Sequence, residues 1–193
     1  RDFPVAELVQ PENYLDLLVN AAQHAGEAIY SKGESEEDMD GMGTTLTSCV
    51  VCDGKIFIAH IGDSRAYAIS EAGITQLTAD HTFAEELLKA GRVSAEEATT
   101  HPKRHVLTRV LGTPGHLNID GLASDLSDTG AVLLCSDGLS NMLDNDTIMR
   151  IATMPMPMPG PSSAEDRVKA LVDEANRRGG YDNISVILID IKR

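Results

Sequence analysis

Apolar positions change their period several times along the chain, and each change marks an expected element. Over residues 11–32, Leu15, Leu18, Ala22, Ala25 and Ile29 recur at helical spacing and give one apolar helix face. Gly33-Glu34-Ser35-Glu36-Glu37-Asp38 follows as an acidic, solvated loop. β-Branched stretches then predict strands at about 44–52 and 55–61. Asp53-Gly54 joins them and suits a two-residue hairpin turn, whose central residues need positive φ. A third strand, 65–70, runs through Glu71-Ala72-Gly73 into a fourth near 74–77.

From Thr82 the helical period returns. Residues 83–90 and 94–98 read as short helices, the second opened by Ser94-Ala-Glu-Glu97, a capping-box pattern. His101-Pro102 breaks the run, and 106–111 is a brief apolar turn or helix. Strand signals recur at 117–122 and 131–135, then helical ones at 139–143 and 146–152, with Asn145 as the expected cap. Four of the eight prolines fall between Met154 and Ser163, alternating with Met, which predicts a surface loop. Residues 164–178 form a helix stopped by Gly179-Gly180, and 183–191 is expected as a buried closing strand. Without internal repeats or a break in composition, the expectation is a single α+β domain over residues 1–193. Its strands come in hairpin order and are therefore largely antiparallel.

Composition narrows the function. The 193 residues carry 16 Lys and Arg against 30 Asp and Glu, a net charge of −14, and ten of the acids lie within the first 40 positions. Such a field opposes a polyanion, which argues against general nucleic-acid binding. No apolar run approaches the roughly 20 residues of a membrane helix. Three cysteines are too few and too odd for a disulfide scaffold and fit a reducing cytoplasm. Cys49-Val50-Val51-Cys52 has C-x-x-C spacing, but on a strand positions three apart face opposite ways, so a buried structural role is expected. The start at Arg1, with no hydrophobic leader after it, points either to a processed chain or to one that begins inside a longer protein.

Three aspartates share one setting. Asp63 follows a strand and Gly62; Asp137 follows the strand 131–135 and precedes Gly138; Asp182 follows Gly179-Gly180-Tyr181 and opens the last strand. An isolated Asp-Gly is usually a turn, and Asp40-Gly41, Asp53-Gly54 and Asp120-Gly121 are read so. Carboxylates at several strand ends are different: converging, they make a hard oxygen-donor site of the kind Mg²⁺ or Mn²⁺ prefers.

Gly62-Asp-Ser-Arg-Ala-Tyr67, Ser136-Asp-Gly138 and Asp182-Asn183 resemble motifs of the metal-dependent protein phosphatases, the type 2C-like Ser/Thr phosphatases. Met42-Gly-Thr-Thr45, Asp80-His-Thr82 and Leu107-Thr-Arg-Val-Leu-Gly112 resemble further landmarks of that family, in the family's order. The resemblance implies a largely antiparallel β-sandwich flanked by helices, with the segment at about 80–112 as a bacterial-type flap. It implies Asp137 and Asp182 as metal-binding aspartates and Asp63 as the residue that helps hold a third metal. The implied activity is Mg²⁺- or Mn²⁺-dependent hydrolysis of phosphoserine and phosphothreonine in proteins, with a Ser/Thr kinase as partner in signalling.

The family's opening strands, with an Asp-Gly-Met-Gly-Gly element and an upstream phosphate-binding Arg, find no match. Asp40-Gly41-Met42-Gly43 imitates the element but continues Thr44-Thr45 and falls after the first helix. Three readings stand: a phosphatase fragment, an inactive phosphatase-like binding module, or Asp40 recruited as a replacement ligand. The first is preferred, with weak metal affinity expected of these residues alone and open sheet edges that favour self-association.

Ser64 in Gly62-Asp-Ser64-Arg invites a serine-hydrolase reading, but a nucleophile elbow needs Gly where Ala66 stands. His60 is expected to be structural, His81 to shape the flap. Lys103, Arg104, His105 and Arg109 form a basic cluster in an acidic chain and are expected to steer phosphorylated substrates.

Overall fold

The computed structural model describes residues 13–153 and 163–191. In chain order its elements are α1 (Tyr14–Ser35), β1 (Leu46–Cys52), β2 (Lys55–Ile61), β3 (Arg65–Ser70), β4 (Gly73–Gln76), α2 (Phe83–Lys89) and α3 (Ala95–Thr100). There follow β5 (Asp120–Asp125), β6 (Ala131–Cys135), α4 (Asp137–Ser140), α5 (Asn145–Thr153), α6 (Ala164–Arg177) and β7 (Val186–Asp190). Helices and antiparallel sheets mix as an α+β chain. The chain divides into two compact units, one holding the residues up to Asp63 with Asp80–Asp125, the other Ser64–Ala79 with the residues from Leu126 onward.

In the first unit an antiparallel sheet runs in the order β1-β2-β5. β1 and β2 pair from Leu46↔Ile61 to Cys52↔Lys55. Their turn has Asp53 at φ 49 and Gly54 at φ 71, the two positive values that the Asp-Gly signal predicts. The cysteines of this strand are free. Helix α1 lies close enough to β5 that a Cβ on Gly121 would stand 3.1 Å from Val19 Cγ2. Ile61, Leu111 and Leu117 form a small core here, with Ile29, Leu46 and Ile119 packed against it.

The second unit holds a sheet in the order β4-β3-β6-β7. Its core gathers Tyr67, Ile69, Leu133, Leu139, Ile148 and Leu171, all essentially inaccessible. Apolar residues of α5 and α6 dominate the helical side because their spacing gives each one buried stripe. Arg167 of α6 donates to the Ala152 carbonyl at 2.9 Å and to both Asp190 oxygens at 2.7 and 2.6 Å, tying α5, α6 and β7 together.

Several expected boundaries move. Residues 106–111 form no helix; isolated bridges Thr82↔Leu107 and Thr44↔Leu111 hold them as extended chain. The strand expected at 117–122 is β5, three residues later, because pairing with β2 selects Asp120–Asp125 over the more apolar residues before it. The helix expected at 139–143 begins two residues earlier, as α4. Asn145 is not the cap of α5: Asp144 Oδ1 accepts the Thr147 amide at 2.7 Å. The closing strand is half-buried rather than buried: among the described residues β7 pairs only with β6, and Ile187 is 59% exposed. The Met-Pro run lies outside the described residues, apart from Ser163, which caps α6 in a capping box with Asp166. Among the described residues no helix is long and apolar enough to cross a membrane.

Candidate active site

Asp137 and Asp182 come together in the second unit. Asp137 is the first residue of α4, directly beyond the end of β6, and Asp182 sits in the loop between α6 and β7. Since β6 and β7 pair up to Cys135↔Val186, their connected ends face each other. Ser136 stitches these ends: its amide donates to the Ser185 carbonyl at 3.0 Å. Its hydroxyl donates to the Asn183 carbonyl at 3.0 Å and accepts the Ser185 amide at 3.0 Å. This occupation explains why Ser136, although it stands at the N-cap of α4, makes no side-chain capping bond.

Gly138 sets the spacing, because a Cβ there would stand 2.3 Å from the Asn183 carbonyl oxygen. The Asp137 carboxylate accepts from Asn141 Nδ2 at 3.1 Å, and the Asp182 carboxylate from the Asn183 amide at 2.7 Å. Neither carboxylate joins an ion pair among the described residues, and Asp182 is exposed. The result is a pair of hard, anionic oxygen donors on two tied segments, a donor set suited to a divalent cation that keeps part of its water. Among the described residues no three His, Cys, Asp or Glu side chains form a metal-holding group by themselves.

Asp63 belongs to the first unit and ends the first of its two stretches of chain. It follows Gly62, whose φ of +111 and close approach to the Thr45 side chain exclude any Cβ. Residue 81 holds Gly62 twice: its amide donates to the Gly62 carbonyl at 2.8 Å, and its ring Nδ1 accepts the Gly62 amide at 3.1 Å. An accepting Nδ1 requires the ring proton on Nε2, which then donates to Asp120 Oδ2 at 3.1 Å. Arg109 Nη1 donates to Asp120 Oδ1 at 2.9 Å.

Burial pushes His81 below its ordinary range, with Arg109 and Lys89 acting the same way against Asp120. Burial pushes Asp120 upward, but the bond from His81 and the charge of Arg109 outweigh it and hold the carboxyl low. The ring is thus a neutral imidazole beside a carboxylate. His60, wholly buried, lies 4.8 Å from His81 between ring centres and pairs through Nδ1 with Thr47 Oγ1 at 2.9 Å, a structural role as expected.

Sequence reasoning singled out Ser136-Asp-Gly138 but missed the tying role of Ser136, the spacing role of Gly138 and the Arg109–Asp120–His81 chain. Asp120-Gly121 is no turn: both residues lie in β5, and the glycine is there because α1 comes close. The usable signal was opposite charges, Arg109 and Asp120, flanking apolar positions beside Asp80-His-Thr82. Asp40 lines a pocket of about 240 Å³ in the first unit with Glu34, Met42 and Val110.

A family profile described as Protein phosphatase 2C matches residues 6–173. The serine/threonine phosphatase stp of Listeria welshimeri serovar 6b is 36% identical over 95% of this chain and 70% of its own length. The solved serine/threonine phosphatase Stp1 from Staphylococcus aureus is similar at a TM-score of 0.88 and 30% identity, over 96% of this chain and 70% of that one. The catalytic domain of the serine threonine protein phosphatase PstP, solved with two manganese ions, is similar at a TM-score of 0.76 and 32% identity, over 96% of this chain and 76% of its own.

Proposed function

The chain belongs to the protein phosphatase 2C family, and on that footing we propose that it hydrolyses phosphoserine and phosphothreonine in proteins with the help of divalent metal ions. The observation that carries the reading is the pair of carboxylates, Asp137 and Asp182, on segments that Ser136 ties together and Gly138 keeps close. Asp137 and Asp182 of the second unit would hold Mg²⁺ or Mn²⁺, and Asp63 of the first unit would help hold a further ion. When bound, such ions make water acidic enough to serve as nucleophile and neutralise phosphoryl charge.

The chain's own side chains orient rather than react. Asn141 and the Asn183 amide fix one oxygen of Asp137 and of Asp182, which leaves each carboxylate an oxygen to turn outward. We read the chain as one phosphatase-like domain with 80–112 as its flap, where Lys103, Arg104 and His105 are exposed and can meet phosphorylated segments. A Ser/Thr kinase would supply those substrates, in the cytoplasm, where free cysteines persist. Among the described residues β7 has one free side in its sheet and Ile187 is exposed, which supports self-pairing as a further property.

The test is release of phosphate from a phosphothreonine peptide by the protein that carries these residues, with Mn²⁺ or Mg²⁺ added. Release should stop with EDTA and in Asp137→Asn and Asp182→Asn. Release indifferent to the chelator overturns the reading.

A further inference from the structure

We propose that His81 is a positioning residue for Asp63, clamping Gly62 from the start of the 80–112 segment and so fixing where the Asp63 carboxylate stands. The inference rests on the reading of Asp63 as a metal-facing group. Gly62 needs a clamp, since a glycine is free to adopt many dihedrals and its φ of +111 beside the Thr45 side chain has to be fixed by its neighbours' hydrogen bonds.

The two bonds from residue 81 act on the two peptide planes that flank Gly62. The carbonyl that His81 N–H binds belongs to the same peptide as the Asp63 amide, so the backbone bond orients Asp63 directly. The ring bond fixes the other plane and is the only one that depends on the side chain. His81 is 1% exposed, and its far nitrogen is locked by Asp120, itself held by Arg109. The tautomer required at Gly62 is therefore imposed by Asp120 on β5; Arg109 Nη1 also lies 3.2 Å from Nε2, but with the ring proton there it makes no hydrogen bond to that nitrogen and acts only through Asp120. His81 is anchored on the segment as well: its carbonyl accepts the Thr108 amide at 2.9 Å, and Thr82 bridges Leu107. Both ends of the 80–112 segment are thus coupled to Gly62.

The first measurement needs no variant: ¹⁵N NMR of the His81 ring should show the proton on Nε2 and none on Nδ1. A ring protonated on Nδ1 overturns the proposal. Next, His81→Gln removes the acceptor from the δ position, whereas His81→Asn places an amide oxygen there. The Gln variant should shift the Gly62 and Asp63 amide resonances and raise the Mn²⁺ concentration for half-saturation about tenfold, read by calorimetry. The Asn variant should restore most of both.

Equal behaviour of the two variants, or unmoved resonances in the Gln variant, overturns the positioning role. Asp63→Asn separates this from the underlying reading: unchanged Mn²⁺ binding there removes the metal role of Asp63, while the amide shifts still decide the clamp. Should the Gln variant fail to fold, Asp120→Asn decides. Loss of the single tautomer with a shifted Gly62 amide supports the clamp; an unshifted amide overturns it.

Discussion

The Ser136 hydroxyl and the Asn183 carbonyl meet at 3.0 Å, and through that bond the segment bearing Asp137 is tied to the one bearing Asp182. The same oxygen accepts the Ser185 amide, so Ser136→Ala leaves a carbonyl and an amide without their partner. The site is partly exposed and water can substitute in part, so the stability cost should stay near about 1 kcal/mol. Metal-dependent phosphate release should fall more than that suggests, by about tenfold, because small misplacements of the carboxylates matter. Urea unfolding and peptide dephosphorylation on one preparation compare the two.

Gly138→Ala should do greater harm. Its methyl would stand 2.3 Å from the backbone oxygen of Asn183, which cannot rotate away as a side-chain end could. The Asp182 loop must retreat, and activity should drop by about a hundredfold, with a stability loss of about 1–3 kcal/mol. Wild-type Mn²⁺ affinity in this variant would contradict the geometry.

Arg167→Ala tests the second unit's packing apart from its chemistry. The guanidinium serves the Ala152 carbonyl and the Asp190 carboxylate, and its loss strands both at a largely buried position. Destabilisation of about 2 kcal/mol is expected, moderated by the partial exposure of Asp190. At temperatures well below the lowered midpoint the metal affinity should remain as in wild type.

Stability should depend on pH through His81. Its folded pKa lies below the unfolded value of about 6.5, chiefly through burial, so between the two values the unfolded chain carries the extra proton. Stability therefore rises with pH across that window and is lost as pH falls through it. The groups facing the ring are Asp120, Arg109, Lys89 and the His60 ring. Asp120 adds its own loss only below about pH 4, since its carboxyl is held low. The urea midpoint should decline from pH 7 to pH 5, less so in His81→Asn; equal slopes in both proteins would exclude His81 as the source.

Charge reversal at Lys103 and Arg104 probes recognition. Both side chains are exposed, and Lys103 Nζ lies 5.4 Å from the Phe83 ring centre. KM for a phosphoprotein should rise about three- to tenfold, more at low salt, while KM for a small aryl phosphate stays put. Equal effects on both substrates would remove the steering role.

Local signals in the sequence carried most of the elements. Asp53-Gly54 declared its hairpin, Ser94 and Glu97 their capping box, and Gly179-Gly180 the end of α6, because each is a short-range matter of dihedrals and orphan backbone groups. β5 was misplaced because Asp120–Asp125 is a weak strand former that pairing with β2 selects from a distance. The family likeness of Ser136-Asp-Gly138 and Asp182-Asn183 pointed to the right loops. That a hydroxyl ties them across 47 residues of chain, and that Gly138 is bare to admit a carbonyl of the same distant residue, are contacts that no local pattern encodes.

The two units interleave along the chain: the path leaves the first after Asp63, returns to it at Asp80 and departs again at Asp125. On the ribosome β1 and β2 can pair at once, but β5 emerges only some 60 residues after its partner, so the first unit cannot be completed before β3 and β4 of the second have been translated. A gene cut between codons 63 and 64 would yield two halves, each holding strands orphaned from their sheet.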